Sequence, residues 1–220
     1  MEDARGGRRR VRLAAFTSAL SSFVAAAVRE LRDAHADVVV QVVQLETQEA
    51  VERLRAGDAD LAVVHYLPSV AVPKTAGFER RRLLTDDLYV VLPERHPLAR
   101  RETVSVTDLE GEPLILPRRD TPAGRFRSVV EHLSAPGRAS RRTSRTSSTT
   151  SRRCRAFVAA GIAVAAMHGL TLATVPAGAV TRPLTERPEG SRAVEALAPA
   201  AARTPVVEHL LEVLASAARA

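Results

Sequence analysis

The sequence predicts an α/β fold in two small lobes with a cleft between them. Three observations carry that expectation. Runs of β-branched residues alternate with helix-length amphipathic stretches, and the alternation starts again after residue 93. The apolar load is Ala, Val and Leu with few aromatics, which suits close-packed helices on a sheet. A chain of 220 residues with 45% apolar content can bury one substantial core or two small ones.

"VRLAAF" (11–16) is a short apolar strand. After it, Leu20, Phe23, Val24, Ala27, Val28 and Leu31 recur at helical spacing, with Thr17 or Ser18 as the expected N-cap because a hydroxyl accepts from the first free N–H groups. "DVVVQVVQL" (37–45) reads as a strand, and "TQEAVERLRAG" as a helix capped by Thr47 and stopped by Gly57. "DADLAVVHY" returns as a buried strand, so this β-α-β-α-β run implies a parallel sheet. "LYVVLP" (88–93) is a further strand, followed by the turn "ERHP". "SVTDLEGE" is then a capped helical turn, "PLILP" (113–117) a strand, and "TPAGRFRSVVEHLS" a helix with Pro122 near its first position. "AFVAAG" ends a helix at Gly161, "IAVAAM" is a strand, and "ATVPAGAVTRPL" is irregular. "SRAVEALAP" serves as a last strand, and "TPVVEHLLEVLASAARA" closes the chain as an amphipathic helix with a Thr-Pro start. The expected boundaries are a disordered stub at 1–10, one lobe from 11–88 and 190–220, and a second from 89–189.

Net charge is +7, and the stretch "GRASRRTSRTSSTTSRRCR" (137–155) alone holds seven arginines and no acid. The rest of the chain is therefore balanced, and any polyanion-binding signal rests on that segment. It has no apolar period and cannot form a buried strand. Three readings stay open: a phosphate-binding loop, an unrelated insertion, or a segment from about 136 to 155 read out of frame. Arg145–Ser151 can be encoded as CGG ACG AGC TCG ACG ACT TCC, and the displaced frame GAC GAG CTC GAC GAC TTC gives Asp-Glu-Leu-Asp-Asp-Phe.

Several functions are excluded. Cys154 is the only cysteine, so no disulfide framework and no spaced cysteine metal site exists. No run approaches the ~20 apolar residues of a membrane helix. Arg8–Arg10 before an apolar stretch resembles a signal peptide, but Arg12, Thr17, Ser18, Ser21 and Ser22 interrupt it, so a cytoplasmic chain is expected. There is no Gly-rich phosphate loop, nucleophile elbow or H-E-x-x-H, so neither catalysis nor a cofactor is expected. His35, His96, His132 and His209 fall on helix ends or turns and read as solvated.

The segment from "RLAAFTSALSSFVAAAVRELRDAHADVVVQVVQLETQEAVERLRAGDADLAVV" onward resembles the effector-binding (substrate-binding) domain of LysR-type transcriptional regulators. "LYVVLPERHPLARRETVSVTDLEGEPLILP" and "AFVAAGIAVAAM" match later landmarks in order. The resemblance covers about 11–135 and 155–220. It implies two Rossmann-like subdomains of the periplasmic-binding-protein type II kind, a small-molecule effector in the cleft, homo-oligomers and control of transcription. Family members read DNA through an N-terminal winged helix-turn-helix, whereas ten residues precede the first strand here, so this chain is not expected to read DNA in that manner by itself.

Ligands of open α/β sheets bind beyond the carboxyl ends of the strands. Those ends offer Thr17 and Ser18, then His65 and Tyr66, then Arg118, Arg119 and Thr121, and last His168, all as candidate effector contacts. Helix N-termini at Thr17 and Thr121 with arginine nearby favour a small anion. Two rival functions are a stand-alone or exported solute-binding protein of the same fold and a basic nucleic-acid-binding protein acting through 137–155.

Overall fold

The computed structural model describes residues 9–68, 73–115, 151–172, 175–185, 190–201 and 203–219. They divide into two compact units, Met1–Thr85 with Ala193–Ala220, and Asp86–Arg192.

The first unit opens with strand β1 (Arg9–Ala15) and a helix α1 in three stretches: Thr17–Ala19 (α), Leu20–Val24 (π) and Ala25–Ala34 (α). The π stretch lies where Ser21 and Ser22 hydroxyls donate to the Thr17 and Ser18 carbonyls, at 3.0 and 2.7 Å, and so compete with the regular ladder. Strand β2 (Val38–Gln44), helix α2 (Thr47–Arg55), strand β3 (Leu61–Tyr66) and strand β4 (Phe78–Asp86) follow.

The second unit begins with β5 (Leu88–Pro93) and continues through β6 (Leu114–Ile115), helix α3 (Ser151–Ala159), β7 (Val164–His168) and β8 (Ala179–Pro183). The chain returns through β9 (Arg192–Pro199) and ends in helix α4 (Pro205–Ala217).

The first sheet has the order β2-β1-β3-β9-β4. β1 is parallel to both β2 and β3, as the spacing implies, but β9 runs antiparallel to β3, with Ala62 opposite Leu197. Ala14, Ala62, Val64 and Leu197 meet Ala50 and Leu54 of α2 in one buried cluster. The alternate positions Leu13, Leu61 and Val63 are equally buried on the other face, as the two-residue period of a strand requires. The second sheet, β6-β7-β5-β8, is also mixed: β6 and β7 are parallel, and β5 is antiparallel to both its neighbours.

Several local expectations hold in detail. Gly57 and Gly161 have φ of +73° and +74°, the left-handed conformation that closes α2 and α3 without a Cβ clash. Ser105 and Asp108 form a complete capping box on the short helix Val106–Leu109, and the Thr204 hydroxyl caps α4.

Other expectations need correction. Neither Thr17 nor Ser18 caps α1: Phe16 takes the extended N-cap conformation, and Thr17 is already helical. Glu46, not Thr47, is the N-cap of α2. β4 and β8 are strands where no strand and an irregular stretch were expected. β4 carries five charged residues in nine and lies at a sheet edge, so it shows no apolar period. The last five residues of the arginine-rich run open α3, with Cys154 buried and Arg155 donating to the Thr171 carbonyl; residues 137–150 lie outside the described residues. Three histidines read as solvated are engaged. His96 Nδ1 accepts from the Leu98 N–H while Nε2 stands 3.3 Å from Glu112, and His35 meets His209 across 2.8 Å. His132 lies outside the described residues.

Asp86 and Arg192 are the first and last residues of the second unit, and both are withdrawn from water. Arg192 donates from Nε and sets Nη2 against the same Asp86 oxygen, each at 2.7 Å, while the other oxygen accepts the Leu170 N–H at 2.9 Å. Removing one charge strands the other, a loss of about 3–5 kcal/mol, whereas replacing both by apolar residues of similar volume is far milder. Asp86→Ala is therefore expected to lower unfolding free energy by about that amount in urea titrations, and Asp86→Leu with Arg192→Met to recover most of it. A single variant as stable as the wild type would contradict this account.

Candidate functional site

The carboxyl ends of β1 and β3 and the opening turns of α1 and α2 meet in the first unit. Phe16, between β1 and α1, sets its ring edge-on to His65, centroids 4.5 Å apart. The Thr47 hydroxyl, freed from capping, does something sequence reasoning missed: it donates to the His65 carbonyl at 2.7 Å and accepts the His65 N–H at 3.0 Å. The backbone of His65 is thereby locked to the start of α2. Its ring extends toward the exposed Glu46 carboxylate, with Nε2 3.4 Å from Oε2. Thr17 is exposed at the opening of α1, and Ser18 behind it is buried.

Tyr66 follows His65 on the same strand, so the two side chains leave opposite faces. Its hydroxyl donates to Glu195 Oε1 at 2.8 Å and accepts from Arg80 Nη2 at 2.6 Å, and the Arg80 guanidinium lies 5.6 Å from the ring centroid. Arg80 Nε donates to the other Glu195 oxygen at 2.8 Å. Glu195 sits in the middle of β9 with its side chain 9% exposed. Burial pushes its carboxyl upward, but hydrogen bonds from Arg80 and Tyr66 and the pull of Arg80 and of Arg82, 3.8 Å away, outweigh that and hold it below its ordinary range. Tyr66 is raised by burial first and by the carboxylate second. An acid inside the otherwise apolar run "AVEALAP" (193–199) is the signal that announces this cluster, because a buried charge must find a partner.

His168 belongs to the second unit. Its Nε2 donates to the Gly190 carbonyl at 3.0 Å, in the neighbourhood of Asp86, Ser191 and Arg192. Arg118, Arg119 and Thr121 lie outside the described residues. The structure thus sets His65 against Phe16, the residue before Thr17 and Ser18, and commits the Tyr66 hydroxyl and the His168 Nε2 to partners of their own. Among the described residues, no three His, Cys, Asp or Glu side chains converge as metal ligands, and no helix is long and apolar enough to cross a membrane.

The model of the LysR substrate binding domain matches residues 4–219, nearly the whole sequence. The chain belongs to the LysR substrate-binding-domain family. That places it among regulatory domains rather than enzymes. A curated relative is the HTH-type transcriptional regulator TtuA of Agrobacterium vitis, 31% identical over 113 residues. The match takes in 50% of this chain and 34% of that protein, so the chain spans about a third of its relative's length. Among solved structures, the effector binding domain of BenM with its effector benzoate superposes with a TM-score of 0.76 at 17% identity, covering 94% of this chain and 90% of that one. The reduced regulatory domain of OxyR from Pseudomonas aeruginosa gives 0.72 at 20% identity, with 96% of each chain covered. At such identities the likeness is one of fold.

The Glu195 cluster has a pH consequence. Its carboxyl is held low in the folded chain, so its contribution to stability is complete above the ordinary glutamate value of about 4.3 and is lost as pH falls below it. The urea midpoint of the wild type should therefore drop between about pH 5 and pH 3 more steeply than that of Glu195→Gln. Parallel curves for the two proteins would show that this carboxylate is not linked to folding.

Proposed function

We propose that this chain is the effector-sensing domain of a cytoplasmic LysR-type transcriptional regulator, with DNA read by a helix-turn-helix that is not among these residues. The observation that carries the reading is the constellation at the end of β1 and β3. There Thr17 and Ser18 open α1 at the positive end of its dipole, next to Phe16, which packs against a histidine whose backbone is clamped by Thr47. Backbone N–H groups at a positive helix end suit a small anion such as a carboxylate, and His65 supplies a further donor.

Thr17, Ser18 and His65 are the contacts we assign from the first unit, with Tyr66 orienting the strand end through Glu195. Binding acts by favouring one conformation over another, and a ligand moves such a balance only by its difference in affinity for the two.

The effector reading is tested by thermal unfolding against a panel of small mono- and dicarboxylates. A true effector at a hundred times its Kd adds about 2.7 kcal/mol of stability. His65→Ala should weaken that response by about tenfold in Kd, the order of one charge-assisted hydrogen bond. A response indifferent to both His65→Ala and Thr17→Val, or no response to any carboxylate, would sink the reading.

The same proposal includes a homo-oligomer. β2 stands at a sheet edge with Val39, Val42 and Val43 exposed and no charged residue in the strand. Bare apolar edges of this kind invite a protein partner. Light scattering of the purified chain should report more than one copy, and Val42→Lys with Val43→Lys should return it to monomer while leaving the melting temperature nearly unchanged. A wild type that is monomeric at high micromolar concentration would contradict this part.

A further inference from the structure

The geometry points to a proton-operated latch between α1 and α4, formed by His35 and His209. His35 is the C-cap of α1, where the chain turns toward β2, and His209 lies in the second turn of α4. Nε2 of the first is 2.8 Å from Nδ1 of the second, the rings inclined at 73° with centroids 5.0 Å apart. That distance is a hydrogen bond between the two ring nitrogens. Such a contact holds together only with one proton between them, one nitrogen donating and the other accepting. A second proton sets two N–H groups head to head and forces them apart.

The separation argues for a proton rather than a metal ion. Two imidazole nitrogens sharing a zinc ion at about 2.1 Å each and near-tetrahedral angle stand roughly 3.4 Å apart, and their lone pairs meet at a bend rather than on a line. Histidine is also the side chain whose charge changes on mild acidification.

The charged groups around the latch leave that proton in control. On α1, Arg32 and Asp33 are exposed in the last turn. Asp37, in the turn that follows, is bound by Arg9 at 2.8 Å; that hydrogen bond holds its carboxyl low, and His35 adds a weaker pull in the same direction. On α4, Glu208 is paired with Arg203 at 3.3 Å and Glu212 is exposed. β2 carries no titratable group. The latch sits where α1 hands the chain to β2, through His35 N–H to the Leu31 carbonyl at 3.0 Å and Val38 N–H to the His35 carbonyl at 3.1 Å. Opening it frees that corner.

The latch is independent of the effector reading, and both measurements use the ligand-free chain. Long-range hydrogen–nitrogen NMR near neutral pH should show one strongly downfield proton correlated with both His35 Nε2 and His209 Nδ1. On acidification the correlation should vanish, and exchange at the His35 and Val38 amides, corrected for its intrinsic pH dependence, should quicken by about fivefold, the population change one hydrogen bond produces. In His209→Gln, whose amide cannot take a second charge, that acid-induced quickening should be absent. Two histidines that titrate singly and alike overturn the proposal, as does a His209→Gln chain whose exchange follows the wild type through acidification. Displacement of the bridging proton by one equivalent of Zn2+ at neutral pH overturns it in favour of a metal site.

Discussion

Charges withdrawn from water must be paired, and that requirement organises β4 and β9 more than any apolar contact does. β9 is buried from Arg192 to Ala198 and carries both Arg192 and Glu195. Each finds its counter-charge on or beside β4: Asp86 for the arginine, Arg80 for the glutamate. Sliding one strand past the other would leave two buried ions alone, a far larger loss than any shuffling of valines. Tyr66 then joins the Glu195 pair from β3, so three neighbouring strands are held in register by five polar side chains. The apolar residues around them supply most of the stability but little of that specificity.

The parts of the fold legible in the sequence are those whose burial is periodic. β1, α1, β2, α2 and β3 alternate between strand-like and helix-like spacing because each buries one stripe or both faces. β4 hid behind its arginines, since an edge strand needs few apolar residues and gains from charge. β8, with every residue only half-buried, hid for the related reason that neither face is committed to the core. Cap positions slipped by one residue at Thr17 and Thr47 because an N-cap is set by backbone conformation, and Phe16 and Glu46 take it without a side-chain bond. The antiparallel placement of β9 joins segments more than a hundred residues apart and leaves no local trace.

The candidate site divides along the same line. Thr17 and His65 were visible because strand ends in α/β sheets are visible. The device that fixes His65, a hydroxyl bridging to its backbone from the next helix, depends on a contact across 18 residues, and Thr47 looked like an ordinary cap. His35 and His209 are 174 positions apart and were read as solvated. Polar residues acquire partners through topology, so their roles stay hidden until the sheet order is known.

The two borders of the first sheet differ in chemistry: β2 is lined with valine and glutamine, β4 with arginine and glutamate. Strand addition at a sheet border leads to an endless ribbon when both borders accept a neighbour. Here one border welcomes and the other repels. Any association through β2 consumes the welcoming border and leaves only the guarded one. Growth by that route terminates after a single event, which protects a valine-rich domain from running on into a fibre.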